Sequence, residues 1–248
     1  MAGGRVRVED GKKWIRVSFG GLVVADSRRV RMVWEVPYYP RYYFPLSDVR
    51  TELLVPTGEI RRSPSRGLAD IHDVVVAGRR APGAAFVWRD VRLDEIADHV
   101  SFDWEAMDHW FEEDEEVFVH ARDPYTRIDV LQSSRHVEVY VAGTKVADTA
   151  RPRLLFETGL PVRAYMPKTD VRLDLLVPSD TRTRCPYKGT ARYWHVVVDG
   201  TVHEDVAWAY ETPLPEVAGI AGFLAFWDEK VDVVVDGVPQ ERPERPFS

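Results

Sequence analysis

The hexapeptide Arg184-Cys185-Pro186-Tyr187-Lys188-Gly189 gathers a guanidinium, the chain's single thiol, a phenol and an ammonium within six residues. Pro fixes its own φ and Gly admits a left-handed one, so the pair marks a turn. Arg182, Arg184 and Lys188 surround the thiol in sequence; they lower its pKa if they point at it, and they attract anions. Three roles are open. Cys185 can act as a thiolate nucleophile with His195 or Glu157 as its base, and Lys188 beside it in the catalytic set. Lys188 and Arg184 can clamp a phosphate or carboxylate. The loop can also be a plain turn around a buried thiol.

Aromatic density is the second chemical feature. Trp34, Tyr42, Tyr43, Trp88, Phe156, Tyr165, Tyr193, Trp194, Trp208 and Tyr210 fall on or beside expected strands. Most such rings fill cores, since each buries a large area. The functional alternative is a sheet face on which Tyr187, Tyr193, Trp208 and Tyr210 stack against a planar ligand beside the cationic loop, with Arg184, Gly189 and Glu157 among the binding residues.

Metal and nucleotide chemistry lack their usual signatures. No C-x-x-C or H-x-x-x-H occurs, so no metal site is expected. No phosphate-binding glycine loop opens a helix, no G-x-S-x-G elbow is present, and no cofactor is implied. Glu112-Glu113-Asp114-Glu115-Glu116 reads as a solvated acidic edge rather than a cation site.

These residues sit in a duplicated chain. Residues 14–88 superimpose on 136–210 at a shift of 122 without a gap, and 27 of the 75 pairs are identical. Beyond them the register slips, with Phe102 on Phe223 at a shift of 121 and Asp108 on Asp232 at 124. Two copies follow, residues 1–124 and 125–248, joined by a polar stretch carrying Pro124. At the loop the first copy reads Arg62-Ser63-Pro64-Ser65-Arg66-Gly67. It keeps the Pro, the Gly and both cations but loses the thiol and the phenol, so any chemistry needing Cys185 or Tyr187 belongs to the second copy. Glu35 and Glu157 occupy equivalent positions, either neutralising the loop cation or serving as acid or base.

Short Val-rich runs bounded by Gly predict strands, as at residues 15–19, 74–77, 137–141 and 231–235. Apolar residues at helical spacing over 93–99 and 215–219 predict one short helix per copy. The expected fold is mainly β: two small antiparallel domains, sandwich or barrel. The 248 residues carry 40 acidic against 33 basic side chains, a net charge of −7, which gives no general attraction to nucleic acid or anionic lipid. No apolar run approaches the ~18 residues of a membrane span, the start of the chain is polar, and one cysteine suits a reducing compartment. The cytoplasm is therefore expected. Either a monomer whose copies pack as a pseudo-dimer or a homo-oligomer fits the duplication.

Cys185-Pro186-Tyr187-Lys188-Gly189, followed by Val206-Ala207-Trp208-Ala209-Tyr210 and Leu214-Pro215-Glu216-Val217-Ala218-Gly219-Ile220, resembles a bacterial family of domains of unknown function numbered 427. Phe44-Pro45, Asp48-Val49-Arg50 and Leu53-Leu54 carry the same resemblance in the first copy, which departs from it at Ser63 and Ser65. The resemblance implies a small, mainly β domain in tandem. The family has also been labelled nucleotidyltransferase-like. The chain has neither a Gly-Ser step nor a D-x-D with which to hold two metal ions for phosphoryl transfer. A small anionic or planar ligand at the Cys185 loop is the leading expectation; a Cys185 enzyme and a scaffold without a catalytic site are the alternatives.

Overall fold

The structure, a computed structural model, describes residues 6–243. The polar start of the chain lies partly outside that range. The chain divides after Asp123 into two compact units with the same strand order. In the first unit, a seven-stranded antiparallel sheet runs Arg7–Asp10, Arg31–Trp34, Arg41–Pro45, His99–Phe102, Arg79–Val91, Gly67–Val76, Leu54–Ser63. A four-stranded sheet runs Glu115–Val117, His109–Glu112, Ile15–Phe19, Leu22–Ser27. The second unit repeats both orders. Neither unit closes into a barrel.

Strand alternation explains why two sheets meet. Val137, Val139 and Val141 are buried while Glu138 and Tyr140 between them are half-exposed, the period-two pattern of a strand with one covered face. The three valines pack with Val196, Val198, Leu224 and Phe226 of the larger sheet. In the first unit Ile15, Val17 and Phe19 meet Val74, Val76, Val100 and Phe102 in the same way.

The larger sheet also buries its outer face. In the second unit Tyr165, Ala191, Tyr193, Trp208 and Tyr210 lie there under Val217 and Ile220. In the first, Tyr43, Ala69, Phe86 and Trp88 lie under Ile96. The covering segments are the expected helices, but they are 3₁₀ turns, Pro215–Ile220 and Asp94–Ile96. Each only needs to place one or two apolar side chains on the sheet, and 3₁₀ geometry is used in such short pieces. Four further 3₁₀ turns carry no apolar period and escaped sequence reading, among them Lys168–Asp170 and Leu173–Leu175.

Sheet ladders correct the repeat register past the hairpins. Tyr43 faces Ser101 and Tyr165 faces Ala225, a shift of 225 − 101 = 124, so Phe102 corresponds to Phe226 and not to Phe223. The two added residues fall in the segment of the longer 3₁₀ turn, six residues against three. One strand later, Ser18 faces His109 and Tyr140 faces Asp232, a shift of 123, so Asp232 corresponds to His109 rather than Asp108.

The acidic run is not a solvated edge throughout. Glu112 is buried, accepts hydrogen bonds from Tyr42 Oη at 2.8 Å and the Arg122 N–H at 2.9 Å, and pairs with Lys13. Strand alternation turns that one carboxylate inward, where a buried charge needs such partners.

Candidate functional site

On the outer face of the second unit's larger sheet lies a cavity of about 450 Å³. Tyr193 comes from the strand Gly189–Val198, and Trp208 and Tyr210 from Thr201–Tyr210. Tyr165 and Arg163 come from Arg163–Pro167, Glu157 from the end of Arg153–Glu157, and Trp227 and Glu229 from just beyond Phe223–Phe226. Cys185 and Lys188 flank the hairpin turn that closes one end, with exposed Arg184 beside them.

The aromatic wall is braced internally. Trp208 Nε1 donates to Tyr165 Oη at 3.2 Å, with the two rings edge to face at 6.3 Å. Trp208 and Trp227 lie 4.7 Å apart and tilted by 42°. Tyr193 Oη and Thr183 Oγ1 are 2.9 Å apart. Burial pushes the Tyr165, Tyr193 and Tyr210 phenols above their ordinary range, so all three stay protonated at neutral pH.

Two ion pairs supply the polar side. Lys188 pairs with Glu157, both nearly buried. Arg163 pairs with Glu229 and, at 3.1 Å, with Asp228. Its guanidinium sits 5.9 and 5.5 Å from the Trp208 and Trp227 ring centres, within cation–π range. Burial pushes the Asp228 carboxyl up to about 6; the Glu229 charge adds to this and Arg163 opposes it.

The folded chain therefore holds the Asp228 proton more tightly than the unfolded chain, whose aspartates titrate near ~3.9. Its contribution to stability is present below about pH 4 and is lost as pH rises to about 6. Asp228→Asn is expected to gain about 1–2 kcal/mol relative to wild type between pH 4 and pH 7. Urea titrations of both proteins at the two pH values measure this; a constant difference, or one of opposite sign, contradicts it.

Of the residues singled out in the sequence, Glu157, Arg184, Cys185, Lys188, Tyr193, Trp208 and Tyr210 line this one cavity. Tyr187 and Gly189 do not. Tyr187 sits at the hairpin tip, and Gly189 closes the hairpin opposite Cys185 at φ +96°, a backbone role. His195 lies six residues along the strand from Gly189, roughly 20 Å at ~3.3 Å per residue. Its Nδ1 accepts the Asp205 N–H at 3.1 Å. Of the two candidate bases for Cys185, only Glu157 shares the cavity, and Lys188 holds it.

Arg163, Trp227 and Glu229 were not singled out. Arg163 matches Arg41 at the repeat shift, a usable signal; Glu229 matches Glu105 only once the register is corrected to 124. Trp227 then falls opposite Asp103 and has no signal in the first copy.

In the first unit two guanidinium groups lie over the corresponding rings. Arg66, at the position of Lys188, pairs with Glu35, donates to Tyr43 Oη at 2.9 Å and lies 4.9 Å over the Trp88 ring. Arg61, at the position of Thr183, lies 4.5 Å over Phe86. The Glu kept in both copies neutralises the loop cation in each.

A possible metal cluster that sequence spacing did not reveal is His136, Glu138 and Asp148, whose ligand atoms lie within 4.8 Å of one another. Lys145 pairs with both carboxylates there. His136 Nε2 approaches Asp148 Oδ1 at 2.7 Å, as Trp14 Nε1 donates to Asp26 in the first unit. The shared hydrogen bond ties neighbouring strands in both copies.

Two open antiparallel sheets around a valine core, repeated with one elaborated outer face, define a tandem β-domain protein. The chain belongs to the family of domains of unknown function DUF427, whose model matches residues 7–113 and 129–237. No curated protein matches it. No helix among the described residues is long and apolar enough to cross a membrane.

Proposed function

We propose that the second unit binds a small planar ligand in its aromatic cavity, while the first unit is a structural partner. The carrying observation is the contrast between copies: Tyr165, Tyr193, Trp208, Tyr210 and Trp227 wall an open space of about 450 Å³, where Arg66 and Arg61 cover the first copy's rings. That volume and lining suit a small-molecule pocket, mostly apolar with a few convergent polar groups. Support for an anionic ligand is weaker, because Lys188 is paired with Glu157 and Arg182 donates to the Ser179 and Thr181 carbonyls. The single thiol accords with a reducing compartment such as the cytoplasm.

Lys188→Arg tests the reading. An arginine there is expected to reach Tyr165 Oη and the Tyr210 face as Arg66 reaches their counterparts, closing the cavity with the fold intact. A thermal-shift screen of planar heterocycles should give hits with wild type that vanish in this variant. Hits that persist unchanged, or an absence of hits with wild type, would refute it.

A further inference from the structure

We propose that the cavity selects a planar ligand carrying a cationic hydrogen-bond donor, an amidinium or protonated amine, with Glu229 as its acceptor. This rests on reading the cavity as a ligand site and adds the chemical class. Three observations carry it.

The first is charge. Arg163 is a single guanidinium between two carboxylates, Asp228 and Glu229, and the three side chains are 13%, 24% and 10% exposed. One cation against two anions leaves an excess negative charge at the edge of the cavity, where Glu229 lines it and the part-exposed Asp228 lies outside its lining, and a ligand cation would compensate that excess.

The second is an unmet acceptor. Glu229 lines the cavity, and its Oε1 takes the Arg163 contact. Its Oε2 is buried with no hydrogen-bond partner among the described residues. A buried carboxylate oxygen left unpaired is costly and calls for a donor.

The third is the wall. Trp208 and Trp227 line the cavity beside that carboxylate, and both rings already have the Arg163 guanidinium within 6 Å. Aromatic faces next to a carboxylate favour a cation and disfavour an anion. Lys188, the cation an anionic ligand would need, is held by Glu157.

Benzamidine, benzamide and benzoate share one planar scaffold and differ in charge. Calorimetric titration of each into the full chain is expected to rank them in that order, with benzamidine at least about tenfold tighter than benzamide. Glu229→Gln, which keeps shape but removes charge, should erase the benzamidine preference over benzamide. Benzoate binding as tightly as benzamidine overturns the proposal, as does an unchanged preference in Glu229→Gln. If that variant does not fold, the wild-type ratio of benzamidine to benzoate decides alone. Binding of all three without discrimination defeats the donor assignment but leaves the cavity reading standing; binding of none defeats both.

Discussion

Gly67→Ala is expected to destabilise the first unit by about 4 kcal/mol, whereas the equivalent Gly189→Ala costs the second about 1–2 kcal/mol. Both glycines close the same hairpin with positive φ, +108° and +96°, and a side chain meets similar backbone strain at each. The difference lies in what surrounds them. A Cβ at Gly67 would fall 2.0 Å from the Asp90 carbonyl oxygen and 2.8 Å from Val91 Cα. Those are backbone atoms of a paired strand, Gly67 facing Val91, and they cannot rotate away. A Cβ at Gly189 meets nothing nearer than Thr212 O at 3.4 Å, because the strand Thr201–Tyr210 ends opposite Ala191. Urea unfolding of the two variants checks this, and equal losses would contradict it.

Trp208→Ala is expected to cost about 3–5 kcal/mol and to abolish ligand binding. Trp208 is buried, bonds Tyr165 through its indole N–H and packs on Trp227. Truncation removes the ring and leaves a void continuous with the cavity, so the loss comes from dispersion and burial rather than charge. Trp208→Phe installs the residue found at this position in the first copy, Phe86, and should cost less, about 1–2 kcal/mol, through the lost hydrogen bond and smaller area. Thermal denaturation separates the two variants. If alanine were as mild as phenylalanine, the ring would not be the packing element described.

The loop Cys185 to Gly189 and the aromatic strands after it pointed to the face of the fold that carries the cavity because their signals are local. A turn needs its Pro and Gly, and alternation puts Trp208 and Tyr210 on one side of a strand with Ala207 and Ala209 on the other. The first copy served as an internal control, since shared Arg, Pro and Gly marked geometry while Cys185 and Tyr187 marked what differs. Glu229 was hidden for a physical reason, since it reaches the cavity across a two-residue insertion that breaks the 122 register, and Trp227 has no counterpart ring at its position in the first copy. Tyr187, drawn in by neighbours that carry chemistry, sits at the hairpin tip outside the cavity lining. Sequence also suggested an anion site by counting Arg182, Arg184 and Lys188. In the fold Lys188 enters the cavity together with Glu157, and Arg163 comes with two carboxylates from elsewhere in the chain, so Lys188 does not stand alone as its sequence spacing implied.

Indole N–H resonances give the most direct test that the second unit's cavity is the ligand site. The eight tryptophans are Trp14, Trp34, Trp88, Trp104, Trp110, Trp194, Trp208 and Trp227, and only the last two line it. Titrating benzamide, a neutral planar probe, into the ¹⁵N-indole-labelled chain should shift Trp208 and Trp227 while Trp88 in the first unit stays in place. Shifts at Trp88 with none at Trp208 or Trp227, or no shift anywhere, would contradict the assignment.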